Sequence, residues 1–258
     1  MRNGFDDLAD DYAVYRPVYP DALVDLLVER CGLAPGARVL DLGAGTGKAA
    51  APFASRGYRV VSVDQSVAMM RHGMAAGARP RFVCGTAESL PVIASAFRLV
   101  LAGQSFHLFD PDNALAECAR VLTRDGCLAV CWYSLNVDLP HTRDIARVLA
   151  SFGVTHESLN QAVGDWKARI EAGGHFVVEE QRRLAFEVPM RPADWIGLAR
   201  TIPVLRAGGA AVERAIAECL APYGAVACPY IADLWLARRP IPGATRAPAL
   251  PAAQDATV

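Results

Sequence analysis

The sequence predicts an α/β protein built on a doubly wound, mostly parallel sheet of seven strands, with an antiparallel edge and a helical lid or insertion. Three observations predict it. Short apolar strands alternate with helical stretches through the first half of the chain, the pattern of a parallel sheet. Those strands are continuous apolar runs rather than alternating ones, as expected where both faces are covered. A glycine-rich turn joins the first strand to the next helix, where such sheets bind ligands.

The elements follow in order. Residues 21–32, DALVDLLVERCG, have the apolar spacing of an amphipathic helix that ends at Gly32. Residues 37–42, ARVLDL, form a first strand running into Gly-Ala-Gly-Thr-Gly and then a helix over 47–56. Residues 58–63, YRVVSV, are a second strand closing on Asp64, followed by a helix over 66–76 and a third strand, RFVCG, at 81–85. The run AFRLVLA at 96–102 is a fourth strand, 113–122 a helix, and GCLAVCW at 126–132 a fifth strand. Residues 141–175 read as helical, 192–221 as helix, loop, helix, and the stretches 175–187 and 229–237 as two strands at an antiparallel edge. The stretch from Arg239 scatters Pro240, Pro242, Pro248 and Pro251 among alanines, so 240–258 reads as a disordered tail.

Composition narrows the function. The chain has 258 residues, 53% of them hydrophobic and 21% charged, which suits a single domain over 1–239. Its formal net charge is −1 and it has no basic run, so no nucleic-acid partner is expected. No stretch approaches the roughly 18–20 apolar residues of a membrane span, and the acidic N-terminus has no signal-peptide core. A cytoplasmic protein without a membrane partner, a monomer or homodimer, is expected. Seven cysteines, an odd number with no C-x-x-C pair, indicate neither a zinc site nor a disulfide framework, and no metal is expected.

The chemistry lies in Asp41-Leu-Gly43-Ala44-Gly45-Thr-Gly47-Lys48. A Walker A loop needs four residues between its first glycine and Gly-Lys-Ser/Thr. Here Gly43 and Gly47 are separated by three, and Ala49 stands where the magnesium-binding hydroxyl should be. A dinucleotide fingerprint needs a third glycine where Lys48 stands. The remaining pattern, an acid followed by spaced glycines, suits S-adenosylmethionine (SAM), which carries no phosphate. Glycines let the backbone approach it without a Cβ clash. Asp41 would meet its ammonium, directly or through water, and Asp64, at the end of the second strand, would accept from the ribose hydroxyls.

These residues extend into a longer series. It starts at Phe5-x-x-Leu8-Ala9-x-x-Tyr12-x-x-Tyr15-Arg16-Pro17-x-Tyr19-Pro20 and runs through Val39–Gly47 and Val63-Asp64-Gln65-Ser66. It continues with Gly85-Thr86-Ala87-Glu88-Ser89-Leu90-Pro91, Ala102-Gly-Gln104-Ser105-Phe-His107-Leu108-Phe-Asp110, Ala116–Leu122 and Trp132-Tyr-Ser-Leu-Asn136, and closes over Pro229–Arg239. In this series the chain resembles the class I SAM-dependent methyltransferases, notably the branch with trans-aconitate-type carboxyl methyltransferases. It departs from that branch at Thr86, where an acid is usual, at His107-Leu108 for His-Trp, and in the interrupted Trp132…Asn136.

The resemblance implies a Rossmann-like methyltransferase fold, SAM as cofactor, residues 1–20 as a lid segment and 138–228 as the acceptor-side region. It implies cofactor contacts from Tyr12, Arg16, Asp41, Gly43, Ala44, Gly45, Gly47, Asp64, Gln65, Met69, Thr86, Ala87, Glu88 and Gln104. Met70 is the alternative to Met69 as a thioether against adenine. Tyrosine faces in the lid suit a sulfonium cation, and Arg16 a carboxylate. His107, Tyr12 and Asn136 are the candidate catalytic residues. His107 would act as a base, since an imidazole titrates near neutrality, or would orient a carboxylate, which needs none. Trp132 would help Asn136 line the acceptor pocket, while Trp195 and Trp235 read as core. The expected reaction is O-methylation of a small molecule at a carboxylate or hydroxyl. Two alternatives stand beside it: SAM chemistry other than methyl transfer, such as closure of its amino acid end to azetidine-2-carboxylate with release of methylthioadenosine, and a non-catalytic SAM-binding subunit.

Overall fold

The computed structural model describes residues 6–75, 80–155, 160 and 162–240. The proposed tail from 241 onward and the first five residues of the lid segment lie outside the described residues. The seven strands are β1 (Arg38–Leu42), β2 (Arg59–Asp64), β3 (Arg81–Cys84), β4 (Phe97–Gly103), β5 (Leu122–Leu135), β6 (Val177–Met190) and β7 (Val226–Arg238). Their order in the sheet is β3-β2-β1-β4-β5-β7-β6. The first five are parallel, whereas β7 pairs antiparallel with both β5 and β6, giving the predicted edge.

Ten α-helices complete the described fold: α1 (Ala9–Tyr15), α2 (Asp21–Cys31), α3 (Ala51–Ser55), α4 (Val67–Ala75), α5 (Pro111–Val121), α6 (Pro140–Ser151), α7 (Trp166–Glu171), α8 (Pro192–Arg200), α9 (Pro203–Ala207) and α10 (Gly209–Leu220). Successive strand residues point to opposite faces, and here both faces are buried. Val39, Leu99, Leu101 and Ala129 pack on the side that takes Leu23 and Leu27 of α2 and Ile216 of α10. Leu40, Leu42, Val100 and Leu128 pack on the other, with Leu115 of α5 and Ile170 of α7. This double coverage is why the strand sequences lack polar alternation.

Several boundaries differ from the sequence reading. The helix expected over 47–56 forms only at Ala51–Ser55; Gly47 has φ +79°, and the chain turns through 46–50 before Pro52 sets the helix start. Among the described residues of 141–175 there are two helices, α6 and α7. The stretch 192–221 holds three helices, not two, with breaks before Pro203 and at Gly208–Gly209, where Gly209 has φ +52°. β6 and β7 are longer than expected because each completes the other's ladder over Val177–Met190 and Val226–Arg238. Cys31, Cys118, Cys127, Cys131 and Cys228 are buried, as small apolar residues would be, but Cys84 is exposed and Cys219 half-buried. Among the described residues no helix is long and apolar enough to cross a membrane, and no cluster of His, Cys, Asp and Glu is placed to hold a metal.

Candidate functional site

Strand order reverses between β1 and β4, and the loops leaving their carboxyl ends must part there, opening a crevice. Gly43-Ala44-Gly45 leaves β1 and Gln104-Ser105 leaves β4; the two loops are tied by Ser105 Oγ donating to the Leu42 carbonyl at 2.7 Å. Gly43 has φ +63°, and a Cβ there would lie 2.7 Å from both Ser105 Cβ and the Phe109 ring. Only glycine serves at this crossing.

Two cavities meet in the crevice. One, of about 420 Å³, is lined by Gly43, Ala44, Gly45, Lys48, Asp64, Gln65, Met69, Thr86, Ala87 and Glu88. The other, of about 260 Å³, is lined by Arg16, His107, Leu149, Trp195, Leu205 and Ile216 among others. Tyr12, Gln104, Leu108 and Tyr133 line both and form the wall between them.

In the larger cavity, Asp64 holds the glycine loop. Its Oδ2 accepts from the Gly45 N–H and its Oδ1 from the Ser66 N–H, each at 2.7 Å. Each carboxylate oxygen has further acceptor capacity, which leaves room for a vicinal diol. Burial raises the Asp64 pKa, partly opposed by these backbone donors. Met69 lines the cavity, while Met70 turns into the core. Glu88 also accepts from the Asp110 N–H at 3.0 Å, fixing the loop before α5.

The wall is built from the N-terminal segment and from the ends of β4 and β5. Gln104 sits in the left-handed region at φ +58°, which is strained for a side chain of its size. It is fastened there by its own N–H to the Cys131 carbonyl at 2.9 Å and by Nε2 to the Tyr133 carbonyl at 2.8 Å. The N-terminal segment docks through Tyr19, whose hydroxyl donates to the Cys131 carbonyl at 3.1 Å, and through Tyr133, whose hydroxyl donates to the Pro17 carbonyl at 3.3 Å. The Arg16 guanidinium stands 5.3 Å from the Tyr12 ring centroid, a cation–π contact. Burial raises the Tyr12 pKa, so its phenol stays protonated at neutral pH.

Some predicted site residues have other places. Asp41 is buried beneath the glycine loop and does not line the cavity; its Oδ1 has no hydrogen-bond partner in the protein, and burial raises its pKa to about 7. Gly47 also lies outside the lining, packed toward the Phe82 ring. Arg16 lines the smaller cavity instead of the larger, because its Nε donates to Thr201 Oγ1 at 2.8 Å, just past α8. Asn136 lines neither cavity: its Oδ1 accepts from the Asp138 N–H at 3.0 Å, a local turn contact. Trp132 is wholly buried, its ring 4.4 Å from Trp166 and 5.6 Å from Trp235, and reaches the site only through its N–H to His107. Trp195 is buried in the core, as expected, and also borders the smaller cavity.

Other residues went unsingled by the sequence. Lys48 counted there only against the dinucleotide fingerprint, yet it lines the larger cavity with its pKa lowered by burial. It is the cation adjoining the glycine series, which is the signal that could have found it. Tyr133 and Trp195 carried no such signal; they reach the site through packing across β5 and α8.

Comparison with known proteins gives a consistent set of relatives. A family model described as a methyltransferase domain matches residues 40–130. An uncharacterized methyltransferase of Mycobacterium tuberculosis is 35% identical over 153 residues, 59% of this chain and 61% of that protein. The chain thus spans about three fifths of that relative's length. A demethylmenaquinone methyltransferase of Beutenbergia cavernae is 30% identical over 178 residues, 63% of this chain and 74% of that protein. Among solved structures, a candidate type II methyltransferase from Anaeromyxobacter dehalogenans aligns with TM-score 0.63 at 24% identity, covering 88% of this chain and 98% of that one. At that identity the likeness speaks to the fold, the same seven-stranded mixed sheet flanked by helices.

Proposed function

The chain belongs to the class I SAM-dependent methyltransferases, and on that premise we propose that it transfers a methyl group from SAM to an oxygen, carboxylate or hydroxyl, of a small molecule. The observation that carries this reading is the pair of cavities sharing one wall at the carboxyl ends of β1 and β4. One compartment suits the cofactor, the other the acceptor, with Tyr12, Gln104, Leu108 and Tyr133 between them.

The residues of the larger cavity fit SAM. The glycine crossing at Gly43 is a cradle that a Cβ would fill. The Asp64 carboxylate would hold the ribose hydroxyls, and Met69, Thr86 and Ala87 the adenine end. Lys48 suits the cofactor's carboxylate, and the unpartnered Oδ1 of Asp41, beneath the loop, its ammonium through water. SAM supplies a methyl group already activated on sulfur. What remains for the protein is to bring the acceptor oxygen into line and to exclude water, which is catalysis by positioning and desolvation. Tyr12 and Gln104 are placed to do that at the shared wall. The apolar lining of the smaller cavity supports a small-molecule acceptor, as does the relative named for demethylmenaquinone.

Calorimetric titration with SAM, S-adenosylhomocysteine and NADH, followed by mass spectrometry of SAM incubated with the protein alone, tests this. Binding of the first two ligands, with SAM left intact until an acceptor is added, is the expected result. Binding of NADH alone would overturn it. Conversion of SAM to methylthioadenosine without any acceptor would replace methyl transfer with the cyclising chemistry.

A further inference from the structure

We propose that the acceptor is an apolar monocarboxylate, held by Arg16 and the His107 Nε2–H, with its hydrocarbon or aryl body against Leu149, Trp195, Leu205 and Ile216. The proposal rests on the methyl-transfer reading above and narrows its acceptor to one chemical class.

The first observation is charge. Arg16 lines a cavity whose other walls are largely apolar, and no aspartate or glutamate lines it. Among the described residues, Arg16 makes no ion pair; its Nε is bound to Thr201 Oγ1, a neutral partner. A guanidinium half-buried among apolar groups, without an anion, is complementary to an anionic ligand.

The second is the supply of donors. Trp132 Nε1–H donates to His107 Nδ1 at 3.1 Å. An indole nitrogen only donates, so Nδ1 must be the bare nitrogen and Nε2 must carry the proton. Trp195, which borders the same cavity, is 4% exposed, and its Nε1 has no partner in the protein.

The third is the lack of a base. An alcohol, phenol or ammonium acceptor must lose a proton to be methylated. His107 is not poised to take it: burial lowers its pKa and Trp132 occupies its bare nitrogen. Tyr12, Tyr133 and Tyr230, the other titratable groups besides Arg16 on the lining, are raised by burial and remain protonated. Lys48, Asp64 and Glu88 line the other cavity, and Asp64 holds two backbone N–H groups. A carboxylate is already ionised at neutral pH. One of its oxygens forms the new C–O bond as the methyl carbon–sulfur bond breaks, with that bond's electron pair staying on sulfur. Anion and sulfonium become neutral ester and thioether, and no proton moves.

The test compares octanoate and phenylpropanoate with octanol, phenylpropanol and octylamine, using the full chain. Binding is read by calorimetry without SAM, and turnover as alkali-labile methyl, because an ester releases methanol where an ether or amine does not. The acids are expected to bind, and the matched alcohols and amine to bind far more weakly. Arg16→Gln should weaken acid binding by roughly 10- to 100-fold while S-adenosylhomocysteine still binds in its own cavity. His107→Gln, which keeps an N–H donor, should retain more acid affinity than His107→Ala. Acids that bind no better than the alcohols, or acid affinity indifferent to Arg16→Gln, would overturn the proposal. Failure of S-adenosylhomocysteine to bind the unmodified protein would instead overturn the reading on which it rests.

Discussion

The indole nitrogen of Trp132 donates to His107 Nδ1 at 3.1 Å, and this bond decides what His107 offers the site. His107 lies on a short 3-10 helix, Phe106–Leu108, after β4, whereas Trp132 lies in the buried middle of β5. A core residue thereby sets the tautomer of a cavity residue. Protonating Nδ1 would place two N–H donors face to face, which adds to the burial that already lowers the His107 pKa.

Trp132→Phe removes that constraint while keeping an aromatic ring between Trp166 and Trp235. The His107 pKa should rise toward its ordinary value of 6.5, and a mixture of neutral tautomers should replace the Nε2–H form. Nitrogen-detected NMR of the imidazole across pH reads both. An unchanged tautomer ratio would show that something other than the indole fixes His107.

Asp64→Ala strips the acceptor from the Gly45 and Ser66 N–H groups. Leaving buried donors unpaired costs about 1–3 kcal/mol each, so the variant should melt at lower temperature. It should also bind S-adenosylhomocysteine at least about tenfold more weakly, the equivalent of one lost charged hydrogen bond. Calorimetry with a thermal melt separates the two effects, and undiminished affinity would remove Asp64 from the cofactor site.

Asp41 makes stability depend on pH in an unusual direction. Its folded-state pKa is raised to about 7 by burial and by the nearby charge of Asp64. Below about pH 4, near the unfolded pKa, the carboxyl is neutral in both states and its full contribution is present. As pH climbs from there through 7 the unfolded chain ionises first, and stability falls by an amount on the order of 4 kcal/mol. Asp41→Asn should abolish this loss, so its stability advantage over the unmodified protein should grow from pH 4 to 7 and then level off. Urea denaturation at a series of pH values measures the difference; parallel curves would contradict it.

Gly197→Ala should loosen the N-terminal helix α1 from the smaller cavity. A Cβ at Gly197 in α8 would stand 2.3 Å from the Tyr15 ring of α1, a contact neither helix can absorb without moving. Overpacking of this kind costs about 1–3 kcal/mol. Amide exchange across Ala9–Tyr15 should quicken, and ligand affinity should fall because Tyr12 and Arg16 ride on the same segment. Unaltered exchange there would mean that α1 is held by other contacts, such as Asp11–Arg206 at 3.0 Å.

The sheet, its glycine crossing and part of the lining of the larger cavity were legible in the sequence. Those features are local: a strand of continuous apolar residues, a turn that only glycine allows, and an acid at the end of the next strand all follow from the period and sterics of neighbouring residues. Gly43, Gly45 and Asp64 were legible for that reason, whereas Met69, Thr86 and Ala87 entered through the family resemblance; all six line the larger cavity. The lining of the smaller cavity was set by tertiary packing. Arg16 reaches Thr201 across 185 residues and His107 meets Trp132 across 25, and neither pairing leaves a mark in residue spacing. Asn136, plausible from its place after β5, was lost to a backbone N–H two residues on, and Trp195, in the core as expected, also borders the cavity because α8 carries it there. Strand and loop identity is written in short-range pattern; which side chains face one another over a cavity depends on how distant elements pack.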